Sequence, residues 1–330
     1  MNREIKNKNQ VALFNLIEKE IPASSTLVDA VSDFLGVGHA ATYRRIRGDK
    51  PVSLEETIKL CKHFNISIDS LANITVGSKY FLCGFAPFDF NDINNYLAFA
   101  QGMSAEIENM RLMPEKEILL SAVDIPVFYF LAYNELTYFN LYTWNKNICN
   151  YPANFEDFFK EAYSGELAES FKKLVSNYQF IPSTEIWTDN TINSTLKMLD
   201  YHFEMGHFND KKTPLLICEQ LLVLMDTLYD CVKTGSKAPK VPFKFYVSDI
   251  DIGNSFLIFK KGKLSHTLIR LYTINGLSIS DELFCKETEN WLHSLIKKAS
   301  LISGASEKER HKFFETQKQK IENLIEKIKQ

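Results

Sequence analysis

The stretch VSDFLGVGHAATYRRIRGDK, residues 31–50, contains two short helical segments separated by a turn. Gly36 follows the apolar end of the first segment, and glycine accepts the left-handed backbone conformation that ends many helices. Gly38 is a suitable N-cap for a second helix. Within that helix, Thr42 and Ile46 are four residues apart and therefore share one face. The stretch predicts two helices that meet across a tight turn.

The opposite face of the second helix carries side chains that suit contact with DNA. His39, Tyr43 and Arg44 lie on that face, and Arg47 lies near its end. Residues 43–50 include four Lys or Arg and one Asp. A helix in the major groove needs donors and cations on its outer face, and the planar guanidinium of Arg matches both guanine edges and phosphates. The pattern therefore indicates a DNA-reading helix.

This block resembles the helix-turn-helix of the Cro and lambda-repressor proteins. The resemblance is carried by Leu35-Gly36-Val37 at the turn, Arg47-Gly48 after the second helix, and Ser53-Leu54-Glu55 at the start of the next helix. It covers residues 8–73 and implies an N-terminal helix-turn-helix domain. Ser53-x-x-Glu56 has the spacing of a capping box at the start of the fourth helix. We expect five helices there, with a short fifth helix that begins at Ser67.

The helix faces and the resemblance together predict two kinds of DNA contact. We expect His39, Tyr43 and Arg44 to touch bases. The residues expected to hold phosphates are Ser25, Thr26, Arg45, Arg47 and Lys50. The first two stand where a capping-box spacing from Thr26 to Asp29 begins a helix. A helix N-terminus offers free backbone N–H groups to a phosphate, and the resembled family uses this position in that way.

Two other interpretations of the block stay open. Gly36-x-Gly38-x-x-Ala41 matches the letters of a dinucleotide-binding fingerprint, but that motif follows a strand. The residues before it here have helical spacing instead. In the second interpretation, the block is a small helical bundle whose arginines only solvate one face.

The composition is typical of a globular protein without a general attraction to nucleic acid. The chain has 330 residues, of which 45% are apolar, and a net charge of −3. Residues 1–73 contain ten Lys or Arg and nine Asp or Glu, so any positive surface must be local. A local patch predicts weak binding by one copy, and we therefore expect a homodimer on double-stranded DNA.

Other features argue against several further classes of protein. The six cysteines show no CxxC spacing, which favours reduced thiols and a cytoplasmic location. The first twenty residues are polar, and the apolar runs are too short to span a bilayer, so we expect no membrane partner. The chain lacks the common hydrolase, nucleotide and zinc motifs. We predict a protein that is not an enzyme and has no metal site and no cofactor.

The predicted fold class is α+β, mostly helical. Residues 74–79 are expected to link the N-terminal domain, residues 1–73, to a mixed α+β module over residues 80–330. Within the module we expect a helical subdomain at about 150–235, strands at about 243–272 and C-terminal helices at 280–330.

Four segments of the module give more specific expectations. Residues 127–133 are β-rich and predict a strand. Residues 213–232 are apolar nearly all round, which predicts a central buried helix. Ser306-x-x-Glu309 predicts a capping box. The final helix, residues 308–329, either forms a short dimer seam or packs on its own domain.

These patterns predict a sequence-specific DNA-binding transcription regulator whose C-terminal module dimerises or senses a signal. Aromatic residues make up 13% of the chain and could line a pocket for a small-molecule or peptide effector. Two alternatives belong to other classes. The N-terminal bundle could be a protein-docking module, or the C-terminal module could be an enzyme without a familiar motif.

Overall fold

The computed structural model gives the chain an α+β fold that is mostly helical, as predicted. Two compact units comprise residues 1–82 and residues 83–330. The predicted linker, residues 74–79, and the predicted start of a fifth helix at Ser67 lie outside the described residues. The structure describes residues 7–21, 25–64, 66, 68, 83–85, 88–89, 92–262 and 264–330.

The described residues of the first unit form four helices. These are α1 (Lys8–Glu20), α2 (Leu27–Leu35), α3 (His39–Ile46) and α4 (Leu54–His63). Their apolar faces meet in one core, formed by Leu13, Phe14, Ile17, Val31, Leu60 and Cys61. Burial of these side chains is the main source of stability for helices as short as α2 and α3.

Side-chain caps and one glycine determine where these helices begin and end. Thr26 Oγ1 accepts a hydrogen bond from Asp29 N at 3.2 Å and begins α2. Gly36 ends α2 in the left-handed conformation, with φ of 64°. At the start of α4, Ser53 Oγ accepts from Glu56 N at 3.1 Å, while Glu56 Oε2 accepts from Ser53 N at 2.9 Å. The sequence predicts each of these caps, and the structure confirms them.

The described residues of the second unit contain a nine-stranded sheet. In chain order the strands are β1 (Cys83–Gly84), β2 (Lys116–Ser121), β3 (Ser183–Trp187), β4 (Ser236–Ala238), β5 (Val241–Val247), β6 (Phe256–Lys261), β7 (Leu264–Tyr272), β8 (Asn275–Ile279) and β9 (Ser300–Leu301). Their order in the sheet is β1-β8-β7-β6-β2-β3-β5-β4, with β9 paired to β5. Strands β2, β3 and β5 run parallel, and the other pairs are antiparallel.

Helices provide the crossovers that parallel strands require. The helices of the second unit are α5 (Ile93–Leu112), α6 (Val127–Phe130), α7 (Asn134–Cys149), α8 (Phe155–Ala162), α9 (Gly165–Tyr178), α10 (Asn193–Glu204), α11 (Lys212–Thr234), α12 (Glu282–Ile296) and α13 (Glu307–Lys329). Helices α6 to α9 connect β2 to β3, and helices α10 and α11 connect β3 to β5.

The two faces of the sheet bury different cores because successive side chains of a strand point to opposite sides. In β2, Ile118 and Leu120 belong to the main core, which the crossover helices cover. Leu119, between them, packs in a smaller core that also holds Ile186 of β3 and Leu292 of α12.

The predicted helical subdomain at about 150–235 is wrong. Strand β3 lies inside that range and pairs with β2 on one side and β5 on the other. Its sequence, Ser183-Thr-Glu-Ile-Trp187, is largely polar yet buried throughout. Because three of its five residues are polar, neither alternation nor an apolar run marks it as a strand. The helices around it therefore form layers of the sheet domain.

Two other local predictions are wrong. Residues 127–133 do not form a strand, because Pro126 precedes the short helix α6 there. Helix α11 is not buried all round, since Leu216 is 39% exposed and Val223 is 52% exposed. Its other face, which includes Ile217 and Leu221, lies in the main core.

The C-terminal helix α13 packs on its own domain, which was one of the two expectations for it. Lys318 Nζ lies 2.5 Å from Asp226 Oδ1 of α11, and the rings of Phe314 and Tyr229 are 5.3 Å apart. The predicted capping box at its start is wrong, because the Ser306 side chain makes no cap hydrogen bond. Among the described residues, the helices that the structure contains are too short or too polar to cross a bilayer.

Candidate nucleic-acid interface

Helix α3 presents polar and cationic side chains on its outer face. The side chain of His39 is 63% exposed, and Tyr43 is 52% exposed. Arg44 is exposed as well, and Arg47 follows the helix with 66% of its side chain exposed. Lys50, at the exit, is also exposed. Five of the predicted DNA-contacting residues are therefore exposed within residues 39–50.

The inner face of α3 fixes this orientation. Thr42 is fully buried and Ile46 is partly buried against the core of the first unit. The Thr42 hydroxyl donates to Gly38 O at 3.4 Å, which satisfies its polar atom inside the fold. With one face held inward, the side chains of Tyr43 and Arg44 must point away from the core.

Arg45 does not lie on the surface, which corrects the prediction that it holds a phosphate. Its side chain is only 7% exposed, and its Nη2 lies 2.8 Å from Glu56 Oε1 of α4. The pKa of the Glu56 carboxyl is lowered by the hydrogen bond from Ser53 N and further by Arg45, although burial opposes this shift. Arg45 thus ties α3 to α4. The capping-box spacing identified Glu56, but nothing in the sequence indicated its second partner eleven residues earlier.

The outward polar side chains of α3 and of the residues after it are held only weakly. His39 Nε2 lies 3.4 Å from Asp29 Oδ1, and Arg47 Nε lies 3.5 Å from Asp49 Oδ2. Each partner in these pairs is largely exposed, and such pairs contribute at most about 1 kcal/mol. Arg44 forms no ion pair with a residue that the structure describes. These groups can therefore turn to an incoming phosphate or base at little cost.

The N-terminus of α2 is less open to a phosphate than predicted. Thr26 Oγ1 accepts from Asp29 N and also donates to Asp29 Oδ2 at 2.5 Å. The hydroxyl is thus fully engaged, and a carboxylate stands beside it. Ser25 is half-buried just before it. A phosphate at this position would depend on the backbone N–H groups of the first turn of α2.

Gln10 also belongs to this part of the surface, although a glutamine in an amphipathic helix carries no motif that would reveal it. Its side-chain amide reaches across from α1 to the chain that leaves α3, with hydrogen bonds to Arg45 O, Lys50 O and Val52 N. It is the only described side chain of α1 with hydrogen bonds to this segment.

In the second unit, the most concentrated set of buried polar groups surrounds Glu185 of β3. Its Oε1 accepts hydrogen bonds from Tyr129 at 2.6 Å and from Tyr178. Its Oε2 accepts from Trp187 Nε1 at 3.1 Å. Burial and the neighbouring carboxylate raise the pKa of both tyrosines well above the usual value. The Glu185 carboxylate is surrounded by hydrogen-bond donors and is fully buried from solvent. The cluster therefore organises the core beneath the helices.

Lys237 lies against the same cluster. Its Nζ is 3.4 Å from the centre of the Tyr178 ring and lacks a hydrogen-bond partner among the described residues. Burial lowers the pKa of Lys237 to about 7, although the Glu185 carboxylate opposes the shift. The amine is covered by Tyr178 and by Phe243, whose ring centre is 5.7 Å away. These contacts give Lys237 a packing role in the core.

Two histidines, the buried His202 and the partly buried His207, form a hydrogen-bonded pair. His202 Nδ1 lies 2.8 Å from His207 Nδ1, so one ring donates and the other accepts. Burial lowers the pKa of His202 to about 4, and the nearby His207 and Lys146 add to the shift. Within the described ranges, no three His, Cys, Asp or Glu side chains are placed to hold a metal ion.

An open cleft of about 740 Å³ lies beside the start of α13. Tyr229 and residues 305–309 line it together with His311. Its lining includes both carboxylates and cations, which points to no one ligand class. The expected effector of the C-terminal module therefore stays a prediction. Comparisons with protein families, with curated proteins and with solved structures found no significant match to this chain.

Proposed function

We propose that the chain is a sequence-specific DNA-binding transcription regulator and that α2 and α3 form its helix-turn-helix. The observation that carries the proposal is the two-sided character of α3. Thr42 and Arg45 face inward, whereas Tyr43 and Arg44 face outward. An exposed phenol beside an exposed guanidinium suits a helix that meets the donors, acceptors and phosphates of DNA.

In this proposal α3 enters the major groove. Arg44 makes a bidentate contact with a guanine, which is worth about 1–3 kcal/mol in discrimination against other bases. His39 and Tyr43 touch neighbouring base edges. Arg47 and Lys50, beyond the helix, hold the phosphate backbone. Arg45 leaves the set of DNA contacts because it is engaged with Glu56.

Ser25 and Thr26 remain in the proposal as flanking phosphate contacts through the backbone of α2. Asp29 weakens that contact by its charge, since it lies within hydrogen-bond distance of Thr26. We therefore assign most of the phosphate binding to Arg47 and Lys50. Their exposure leaves both free to reach a strand beside the groove.

The net charge of −3 limits what one copy can bind. Three or so cationic contacts give only modest affinity at physiological salt. A two-fold dimer would place two copies of α3 about 34 Å apart, on one face of the duplex. We assign dimerisation or sensing to the second unit and a cytoplasmic location to the chain.

Selection of bound sequences from random duplexes by the full chain tests the proposal. We expect one enriched motif and an affinity that falls linearly on a log–log plot against salt concentration. If no motif is enriched and no duplex is retained, the proposal is wrong. That result would favour the alternative in which the N-terminal bundle docks onto another protein.

A further inference from the structure

The chain that leaves α3 is fastened to α1 through one side chain. Gln10 Nε2 donates to Arg45 O at 2.6 Å and to Lys50 O at 2.8 Å. Its Oε1 accepts from Val52 N at 3.0 Å. Both polar atoms of the amide are therefore used on backbone groups of the last turn of α3 and of the exit segment, residues 47–52.

The exit segment is folded by its own backbone only in part. Arg47 N donates to Tyr43 O at 3.1 Å and Gly48 N to Arg45 O at 2.9 Å, while Asp49 N and Lys50 N both donate to Arg44 O, at 2.8 and 3.0 Å. Gly48 has φ of 78° and is buried against α1, where an added Cβ would lie 3.7 Å from Val11 Cγ2. Beyond these contacts, Gln10 supplies the hydrogen bonds that fix Lys50 O and Val52 N.

A second anchor, independent of Gln10, joins α3 to α4. Arg45 pairs with Glu56, and Glu56 in turn caps α4 through Ser53. This anchor fixes the end of α3 relative to α4 but makes no contact with Lys50. The two anchors therefore have different effects, because one holds the helix and the other holds the exit segment.

We infer that Gln10 is a positioning residue for DNA binding, which holds the exit segment so that Arg47 and Lys50 meet the phosphate backbone. The inference rests on the proposed function. Without this fastening, Lys50 is no longer held beside the duplex, so its phosphate contact is lost while the contacts of α3 itself remain. Sequence preference would remain, because Tyr43 and Arg44 lie on the helix itself.

The salt dependence of DNA binding distinguishes loss of the Lys50 contact from simple destabilisation of the first unit. Each phosphate contact contributes about 0.9 to the slope of log affinity against log salt concentration. Loss of an ordered Lys50 contact should flatten that slope by about one unit for each bound copy and weaken binding about tenfold at low salt. A variant that merely destabilises the first unit would lower the active fraction and leave the slope unchanged.

The test compares three full-length variants on the duplex selected by the wild-type chain. Gln10→Met keeps the length of the side chain and removes all three hydrogen bonds. Gln10→Glu keeps the acceptor for Val52 N but loses both donors. Ser53→Ala is the matched control, because it removes a cap of α4 and leaves every Gln10 contact intact. Fluorescence anisotropy at several salt concentrations gives the slopes, and amide hydrogen exchange gives the protection of Val52.

We expect a flatter slope for both Gln10 variants, faster exchange at Val52 in Gln10→Met, and a wild-type slope for Ser53→Ala. A wild-type slope in Gln10→Met would overturn the inference, and so would an equal flattening in Ser53→Ala. Gln10→Glu with wild-type binding would also overturn it, because the bonds to Arg45 O and Lys50 O would then be dispensable. A wild-type chain that retains no duplex would refute the proposed function, and the inference with it.

Discussion

Replacement of Arg45 by methionine should destabilise the first unit without removing a DNA contact. It therefore distinguishes the contribution of α3 to folding from its contribution to DNA binding. The side chain of Arg45 is buried, and its partner Glu56 is 27% exposed and keeps its hydrogen bond from Ser53 N. Removal of one partner from a fully buried pair costs about 3–5 kcal/mol. Because Glu56 retains some solvent and one donor, we expect a smaller loss, of about 1–2 kcal/mol. The matched variant Arg44→Met should leave stability unchanged and weaken DNA binding.

The assay must report on the first unit alone. All three tryptophans, Trp144, Trp187 and Trp291, lie in the second unit, so their fluorescence is blind to this change. Amide hydrogen exchange in α3 and α4 reports local opening instead. A loss of 1–2 kcal/mol lowers protection there about 5- to 30-fold. The reasoning is refuted if Arg45→Met leaves this protection unchanged and weakens DNA binding as much as Arg44→Met.

Three further outcomes follow from other parts of the structure. Tyr129→Phe removes one donor from the buried Glu185 carboxylate and should cost about 1–3 kcal/mol, measured by urea unfolding of the second unit through tryptophan fluorescence; an unchanged midpoint would contradict the burial of this cluster. The pKa of His202 is about 4 in the folded chain and 6.5 in the unfolded chain. Above pH 6.5 its titration therefore leaves the free energy of unfolding unchanged, and between pH 6.5 and 4 it lowers that free energy by up to about 1.4 kcal/mol per pH unit. His202→Gln should flatten that part of the pH profile, and a profile parallel to that of the wild type would count against the histidine pair. Gly36→Ala must adopt φ of 64° and should destabilise the first unit by about 1 kcal/mol, seen as faster exchange in α2; Gly38→Ala, with φ of −67°, is the control and should have a much smaller effect.

The sequence predicts where α2 and α4 begin and where α2 ends, because these signals are local. Each side-chain cap there depends on residues three or four positions apart, as in Thr26 with Asp29 and Ser53 with Glu56. The outward face of α3 follows from helical spacing alone. Arg45 was misassigned although it lies three residues after the buried Thr42 and therefore shares its face. What the sequence does not show is the partner in the next helix, Glu56, that satisfies its charge there.

In the second unit, by contrast, a central strand depends on long-range contacts that local sequence signals do not reveal. Strand β3 is central to the sheet, yet Glu185 in its middle is a residue type that is rare in buried strands. Its burial is possible because Tyr129 and Tyr178, which are distant in sequence, donate to its carboxylate. A long-range requirement of this kind leaves no periodic pattern. For the same reason, residues at about 150–235 were expected to form a helical subdomain.

The most direct test of DNA recognition by α3 compares Arg44→Ala with Lys59→Ala on a selected operator and its single-base variants. Lys59 lies on α4, is 60% exposed, and pairs with Glu55 at 3.4 Å, so its replacement removes the same charge from a different surface. We predict that Arg44→Ala weakens binding by about 1–3 kcal/mol and loses preference at one base position, whereas Lys59→Ala retains the full pattern. Equal weakening by both variants, with every base preference intact, would contradict the proposal.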